Sequence, residues 1–424
     1  MKILIAGGGI GGLTAALSLQ AAGFGDVTVY ESAAEITPLG VGVNLPPHAV
    51  RELTELGLGD DLARLGVLTS AFDYYDPAGQ LIWSEPRGEV AGYHWPQYSI
   101  HRGSLQMLLL RTVQARLGPD SVRTGCAVTD VTWDAADRPT VTILDRSTGS
   151  SESRGPDVVV GADGIRSTVR GTVLGNENYN ENHLAWNGWV IWRGVTHMPA
   201  YLNGTTMVVI GDEQQRVVAY PIGAAPDTNG QFAVNWLLSR PAPHTEIQDH
   251  GNWNRPVEAR DLTKYVDGMT FDWFDVPALI GGAEMVYEYA MVDLEPLKTW
   301  SRGAVTLLGD AAHAMYPFGS NGASQAILDA RILAYHLVKN ADPVDALSAY
   351  EADRRPATTQ VQLANRRQAG TVMRRVSALA RDQARGAAAK ELEVAEGAYK
   401  KIAGFDAEQL NSRPSWDVHL SPKN

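Results

Sequence analysis

The stretch Met1–Ser32, MKILIAGGGIGGLTAALSLQAAGFGDVTVYES, decides the fold. Its opening apolar run, Lys2–Ala6, has the length and β-branched content of a buried parallel strand. A glycine cluster stops the run, and an Ala- and Leu-rich helical pattern follows until Gly23 and Gly25. A second apolar run, Val27–Tyr30, ends on Glu31 and Ser32. The order is strand, helix, strand. Gly7, Gly9 and Gly12 form a G-x-G-x-x-G spacing around Ile10 and Gly11. Gly7 permits the tight turn off the strand, Gly9 lets a pyrophosphate approach the backbone, and Gly12 lets helix and strand pack closely. The free N–H groups and positive end of the helix favour phosphate. Glu31, at the tip of the second strand, is placed to accept from a ribose 2′-hydroxyl and would repel a 2′-phosphate. The site therefore suits FAD or NAD rather than NADP.

Composition sets the limits around this unit. A chain of 424 residues exceeds one ordinary core and suggests two domains or one elaborated one. A formal charge of −12 argues against nucleic acid or an anionic membrane as partner. The single cysteine, Cys126, excludes an intramolecular disulfide and fits a reducing compartment. With no basic leader and no apolar run of membrane-spanning length, the expectation is a cytoplasmic protein without a membrane partner.

Further along, Pro38–Asn44 is a glycine-punctuated loop, and Ala71–Tyr98 reads as a small β element. His101 and Arg102 stand at the start of a helix that runs to Leu117. From His183 to Glu288 the pattern is mostly β, with Trp186, Trp189, Trp192, Trp236, Trp253 and Trp273 and one helical piece near Thr263–Val266. Trp186, Trp189 and Trp192 recur every third residue, so a strand cannot turn all three to one side. They read as sheet core or inter-domain packing. The C-terminal part reads as helix from Val344 to about Ala389, broken near Pro356, with a loose tail from about Asn411. Arg354, Arg355, Arg366, Arg367, Arg374 and Arg375 read as solvated faces paired with nearby acids.

Two later strand ends carry acids. Pro156–Gly161 runs into Gly161-Ala162-Asp163-Gly164, followed by Arg166, Ser167 and Arg170. The two arginines suit a phosphate-bearing cofactor, while Asp163 equally suits a helix cap. Ala304–Leu308 runs into Gly309-Asp310-Ala311-Ala312-His313, with Pro317, Gly319, Asn321 and Gly322 behind it. Asp310 suits a sugar-alcohol chain, and the helix beginning near Ala323 offers N–H groups to a ring carbonyl. His313 is open to a structural or a catalytic reading.

Together, G-x-G-x-x-G with Glu31, the central D-G-x-R-S and the late G-D-A-A-H-x-x-x-P resemble the single-component FAD-dependent aromatic monooxygenases of the para-hydroxybenzoate hydroxylase type. The run Met315–Asp329 is similar to the phenazine-carboxylate branch of that family. The resemblance implies an α/β fold: a Rossmann-like FAD-binding domain, a β-rich substrate domain and C-terminal helices. It implies domains at 1–72, 99–182 and 289–370 (FAD), at 73–98 and 183–288 (substrate) and at 371–424 (C-terminal). It places the ADP half of FAD on Gly7, Gly9–Gly12, Glu31 and Ser32, with Val43 and Arg102 along the cofactor and Val128 by the adenine. Asp310 then holds the ribityl chain, and Pro317, Gly319, Asn321, Gly322 and Ala323 line the isoalloxazine. Asp163 and Arg166 would serve FAD and a transient NADH or NADPH. Tyr220, Met315 and Tyr316 are the substrate-side candidates, and no side chain is assigned as acid or base. The implied reaction uses NAD(P)H and O2 to hydroxylate a phenazine-carboxylate-like or hydroxybenzoate-like molecule through a C4a-hydroperoxyflavin, with no metal, in a monomer or homodimer. The alternatives are a non-catalytic flavin redox sensor and a flavin halogenase or epoxidase. The halogenases' W-x-W-x-I-P run is replaced here by W-x-x-W-x-x-W.

Overall fold

The computed structural model describes residues 1–38, 40–175, 184–242 and 255–418. The first three apolar runs become adjacent strands. Lys2–Ala6 lies between Val158–Gly161 and Asp26–Tyr30, all parallel. Val305–Leu307 pairs in parallel on the far side of Val158–Gly161, and Ser301–Arg302 and Val122–Arg123 complete six strands. Buried on both faces, the inner strands Lys2–Ala6, Val158–Gly161 and Val305–Leu307 need near-continuous apolar sequence, as found. Their register sets the function. Ala6 is level with Gly161 and Tyr30, and Gly161 with Leu307. All three motifs thus begin at one edge of one sheet, the carboxyl edge where such folds bind ligands.

The second large sheet has eight strands, in the order Arg255–Val257, Val286–Leu294, Leu184–Met198, Phe232–Pro241, Arg216–Pro221, Thr206–Gly211, Ala71–Tyr75 and Leu81–Pro86. Alternation divides its two faces. Val190, Trp192, Val208, Ile210, Val217, Ala219, Trp236 and Leu238 form a core closed by the helix Val276–Gly281. Their neighbours Ile191, Arg193, Met207, Val209, Arg216, Val218, Tyr220 and Leu237 face a cavity. Strands Ala71–Tyr75 and Val286–Leu294 each cross a domain boundary expected at 72/73 or 288/289. Ladder pairing decides which sheet a strand joins, and it puts both strands whole in this one. A bulge between Trp186 and Val190 breaks the strict alternation of the tryptophan run. Trp192 enters the core, and Trp186 and Trp189 pack beside clusters of the same sheet. Trp253 lies outside the described residues. The piece near Thr263–Val266 is a short 3₁₀ turn.

The C-terminal helices depart from the sequence reading in three ways. Helix Pro343–Arg367 runs straight through Pro356. Proline costs the helix one N–H, but Tyr350 donates to the carbonyl of Leu307 at 3.0 Å and Arg354 to Asp329 at 2.7 Å, pinning the turns before it. The regular helix ends instead at a π-turn, Gln368–Val372, followed by Met373–Arg381 and Arg385–Ile402. Next, Arg354 and Arg366 are not solvated-face residues. Arg354 is 5% exposed against a fully buried Asp329, and Arg366 clamps the buried Asp293 through two hydrogen bonds. Finally, the described tail is not loose. Leu410 is fully buried, Trp416 packs edge-on to Tyr335, and Arg413 reaches the buried Glu52. Among the described residues no helix is long and apolar enough to cross a membrane.

Candidate active site

The cavity between the two sheets has a volume of about 590 Å³. At one end of it stands the glycine turn. Gly7 has φ +106°, and a Cβ there would lie 2.2 Å from the carbonyl oxygen of Ala162. A Cβ at Gly12 would lie 2.0 Å from the oxygen of Gly7, while Gly9 has open space beside it. Gly9, Ile10, Gly11, Val43 and Arg102 line the cavity. Glu31 caps the turn from the other side: its carboxylate accepts from the N–H of Gly8 and of Ala33, both at 2.8 Å, and from the Ser32 hydroxyl. Cys126 donates its N–H to the oxygen of Glu31 at 2.9 Å, which brings the strand of Val128 beside the fingerprint. Gly7, Gly12, Glu31, Ser32 and Val128 thus surround the first turn without facing the main cavity.

The central motif departs from its implied role. The Asp163 carboxylate turns inward and accepts from Ser167 Oγ and from the N–H of Thr168 (2.8 Å) and Val169 (3.1 Å). It serves the helix Thr168–Leu174 as a cap. Burial pushes its carboxyl up, against the pull of these donors. Arg166 is exposed and does not line the cavity. Arg170 is 2% exposed and is not a surface counter-charge: it donates to the carbonyls of Ile165 (2.6 Å) and Ala311 (3.1 Å). It thereby ties the second motif to the third.

Asp310 stands exposed at the cavity wall, just after Gly309, whose φ of +62° turns the chain off its strand. His313 proves structural. It is 1% exposed, and its Nε2 lies 2.6 Å from Asp329, which also accepts from Gly309 N–H at 3.0 Å and Arg354 Nε at 2.7 Å. Pro317, Gly319, Asn321, Gly322 and Ala323 line the cavity. Gly319 adopts φ +77° with Tyr399 packed where a side chain would stand. Helices Ile10–Ala21 and Gly322–Lys339 start at the cavity with no side-chain cap, leaving N–H groups for a ligand. Tyr220 and Met315 face the cavity. Tyr316 also borders it, but its hydroxyl donates to the Ala185 carbonyl at 3.1 Å, which ties the third motif's loop to the eight-stranded sheet.

Sequence reasoning missed several cavity residues. Arg216 was legible, because strict alternation from Tyr220 places it on the same face. Arg87, Gln368, Glu396, Tyr399 and Phe405 had no local signal, since distant segments deliver them.

Residues 1–364 match the family described as FAD binding domain, and the chain belongs to it. It is an FAD-dependent monooxygenase with the para-hydroxybenzoate hydroxylase fold, of the aromatic-hydroxylase type. It is 44% identical over 365 residues to phenazine 1,6-dicarboxylic acid hydroxylase PhzS of Lysobacter antibioticus, covering 86% of this chain and 89% of that one. It is 31% identical to 3-hydroxybenzoate 6-hydroxylase 1 of Aquipseudomonas alcaligenes, covering 86% and 88%. The structure of Klebsiella pneumoniae HpxO with FAD and uric acid matches with a TM-score of 0.74 at 27% identity, covering 98% and 97%.

Proposed function

We propose that this enzyme hydroxylates a planar aromatic or heteroaromatic carboxylate, using NADH or NADPH and O2. The observation that carries the reading is Arg216. It is 3% exposed in the cavity wall, and it donates to the main-chain carbonyls of Asp212 (3.0 Å) and Ala369 (3.4 Å). Its Nη1 has no hydrogen-bond partner among the described residues, and burial pushes its guanidinium down to about 10. A buried cation without a counter-ion is unfavourable, and an anionic ligand relieves that. Phe72, Met207, Val209, Val218, Tyr220 and Leu237 supply flat apolar walls for a ring. Phe318, from the loop expected to border the flavin, lies 5.3 Å from the Arg216 guanidinium. A carboxylate held there would set the ring beside that loop. The relatives support this class, since phenazine dicarboxylate and hydroxybenzoate are named for two of them.

The residues present suit FAD: open space at Gly9, two uncapped helix starts and the exposed Asp310 all border one cavity. Bound FAD, reduced by a nicotinamide coenzyme, supplies the oxygen chemistry that side chains lack. In this reading Gly9–Gly12 hold the pyrophosphate, and Asp310 accepts from the ribityl hydroxyls. The first N–H groups of Gly322–Lys339 face the ring carbonyl, and the apolar walls keep water out. The single cysteine supports a reducing, cytoplasmic setting, and the enzyme acts as a monomer or homodimer.

The test is anaerobic flavin reduction by NADPH and by NADH, with and without phenazine-1-carboxylate and hydroxybenzoates. An aromatic carboxylate should accelerate reduction at least tenfold, and Arg216→Met should lose that response while keeping its flavin. Reduction equally fast with no acid present would refute the reading.

A further inference from the structure

A second polar group stands in the cavity wall next to Arg216. The π-turn Gln368–Val372 links the two, because the Ala369 carbonyl accepts from Arg216 at 3.4 Å while the preceding Gln368 turns its amide to Glu396 at 2.7 Å. π-turns are rare and concentrate at functional sites. Glu396, on helix Arg385–Ile402, is 3% exposed and meets Arg87 at 3.5 Å. Arg87 also pairs with Glu85 at 2.7 Å, and Lys400 with Glu85. Two cations and two acids cancel, so this group, unlike Arg216, has no call for a further charge. A clamp built only to hold the helix would be served as well by apolar contacts. Two atoms stay unused besides: Arg87 Nε, a donor, and Gln368 Oε1, an acceptor, both without a hydrogen-bond partner among the described residues. Arg87, Gln368 and Glu396 all border the cavity.

We propose that Gln368, Glu396 and Arg87 form a specificity subsite that reads a neutral donor–acceptor substituent, such as an amino, amide or hydroxyl group, on a substrate whose carboxylate lies at Arg216. This rests on the carboxylate reading above and adds a second point of recognition. One point fixes the anion; the second fixes the rotation of the ring and thus which carbon meets the flavin. The C-terminal helices are then part of the substrate site, not only a support.

The experiment measures binding to the holoenzyme by quenching of flavin fluorescence. The probes are benzoate and its monomethyl and monoamino derivatives at each ring position, with phenazine-1-carboxylate as reference anion. In wild type, the amino compound should bind about tenfold tighter than the methyl compound at one position, the factor that one or two net hydrogen bonds give. In Gln368→Leu that preference should vanish while benzoate binds as before. Glu396→Gln, which keeps the shape of the cluster, should reduce the preference several-fold. Retained flavin content and thermal midpoint establish that both variants fold. Equal weakening of every ligand in Gln368→Leu, or an unchanged amino preference, would overturn the subsite alone. Failure of benzoates and phenazine-1-carboxylate alike to bind would overturn the carboxylate reading and the subsite with it.

Discussion

Replacing Asp329 by alanine should strip the third motif of its anchor. Asp329 is fully buried and accepts from the N–H of Gly309 and the side chains of His313 and Arg354. Alanine leaves Arg354, 5% exposed, as an uncompensated buried cation. Breaking such a pair costs about 3–5 kcal/mol. Unfolding entropy near ~2.1 cal/mol/K per residue gives about 0.9 kcal/mol/K for 424 residues, so the thermal midpoint should fall by about 3–6 °C. The Gly309–Asp310 turn also loses its fixed N–H, and FAD affinity should drop at least tenfold. Acid offers an independent reading. Burial pushes the Asp329 carboxyl up, but His313 and Arg354 outweigh it and hold it down to about 2. A depressed carboxyl stabilises the fold above its ordinary range near 3.9, and that stability fades as pH falls from about 4 toward 2. The variant should therefore show a shallower acid limb than wild type. The assays are thermal melts across that range and FAD titration of the apoenzyme. Adding Arg354→Met to Asp329→Ala should recover part of the loss, because the stranded cation is gone. An unchanged midpoint in the single variant, or equal destabilisation in single and double variants, would refute the reasoning.

Three other outcomes are open to direct measurement. Gly12→Ala places a Cβ 2.0 Å from the Gly7 oxygen, so the purified variant should carry little flavin, read from its absorbance. Asp310→Ala should weaken FAD binding by about 1–3 kcal/mol through one lost charged hydrogen bond, with undiminished flavin content counting against that assignment. Leu410→Asp puts a charge at a fully buried position, so it should detach the tail and make residues beyond 404 sensitive to protease.

The nucleotide side of this enzyme was legible because its signals are local. An apolar run, a glycine with a fixed steric role and an acid at the strand end are each readable within a few residues. Only the register of Ala6, Gly161 and Leu307 had to be supplied by the fold. Asp163 shows the limit of such reading, since a cofactor acid and a helix cap occupy the same kind of position, and neighbouring N–H groups decide between them. Pro356 was misread as a break because backbone propensity is weak against Arg354 and Tyr350 tied into the buried core. Glu396 was invisible for a different reason. Its partner Arg87 is 309 residues away, and nothing in either neighbourhood announces the other.

The cavity draws walls from Gly9 at one end of the chain and from Phe405 near the other. During synthesis the nucleotide-binding unit emerges first, yet the chamber stays open until the last helices leave the ribosome. The helix Gly322–Lys339 completes that unit, and Phe405 lies 66 residues beyond Lys339, an interval of about 3–13 s at ~5–20 residues per second. A nascent chain in that interval has a dinucleotide cradle without an enclosure. Its reduced flavin would stand open to solvent and discharge electrons to oxygen without a product. Only once that last wall is in place can the enzyme hold the reaction in.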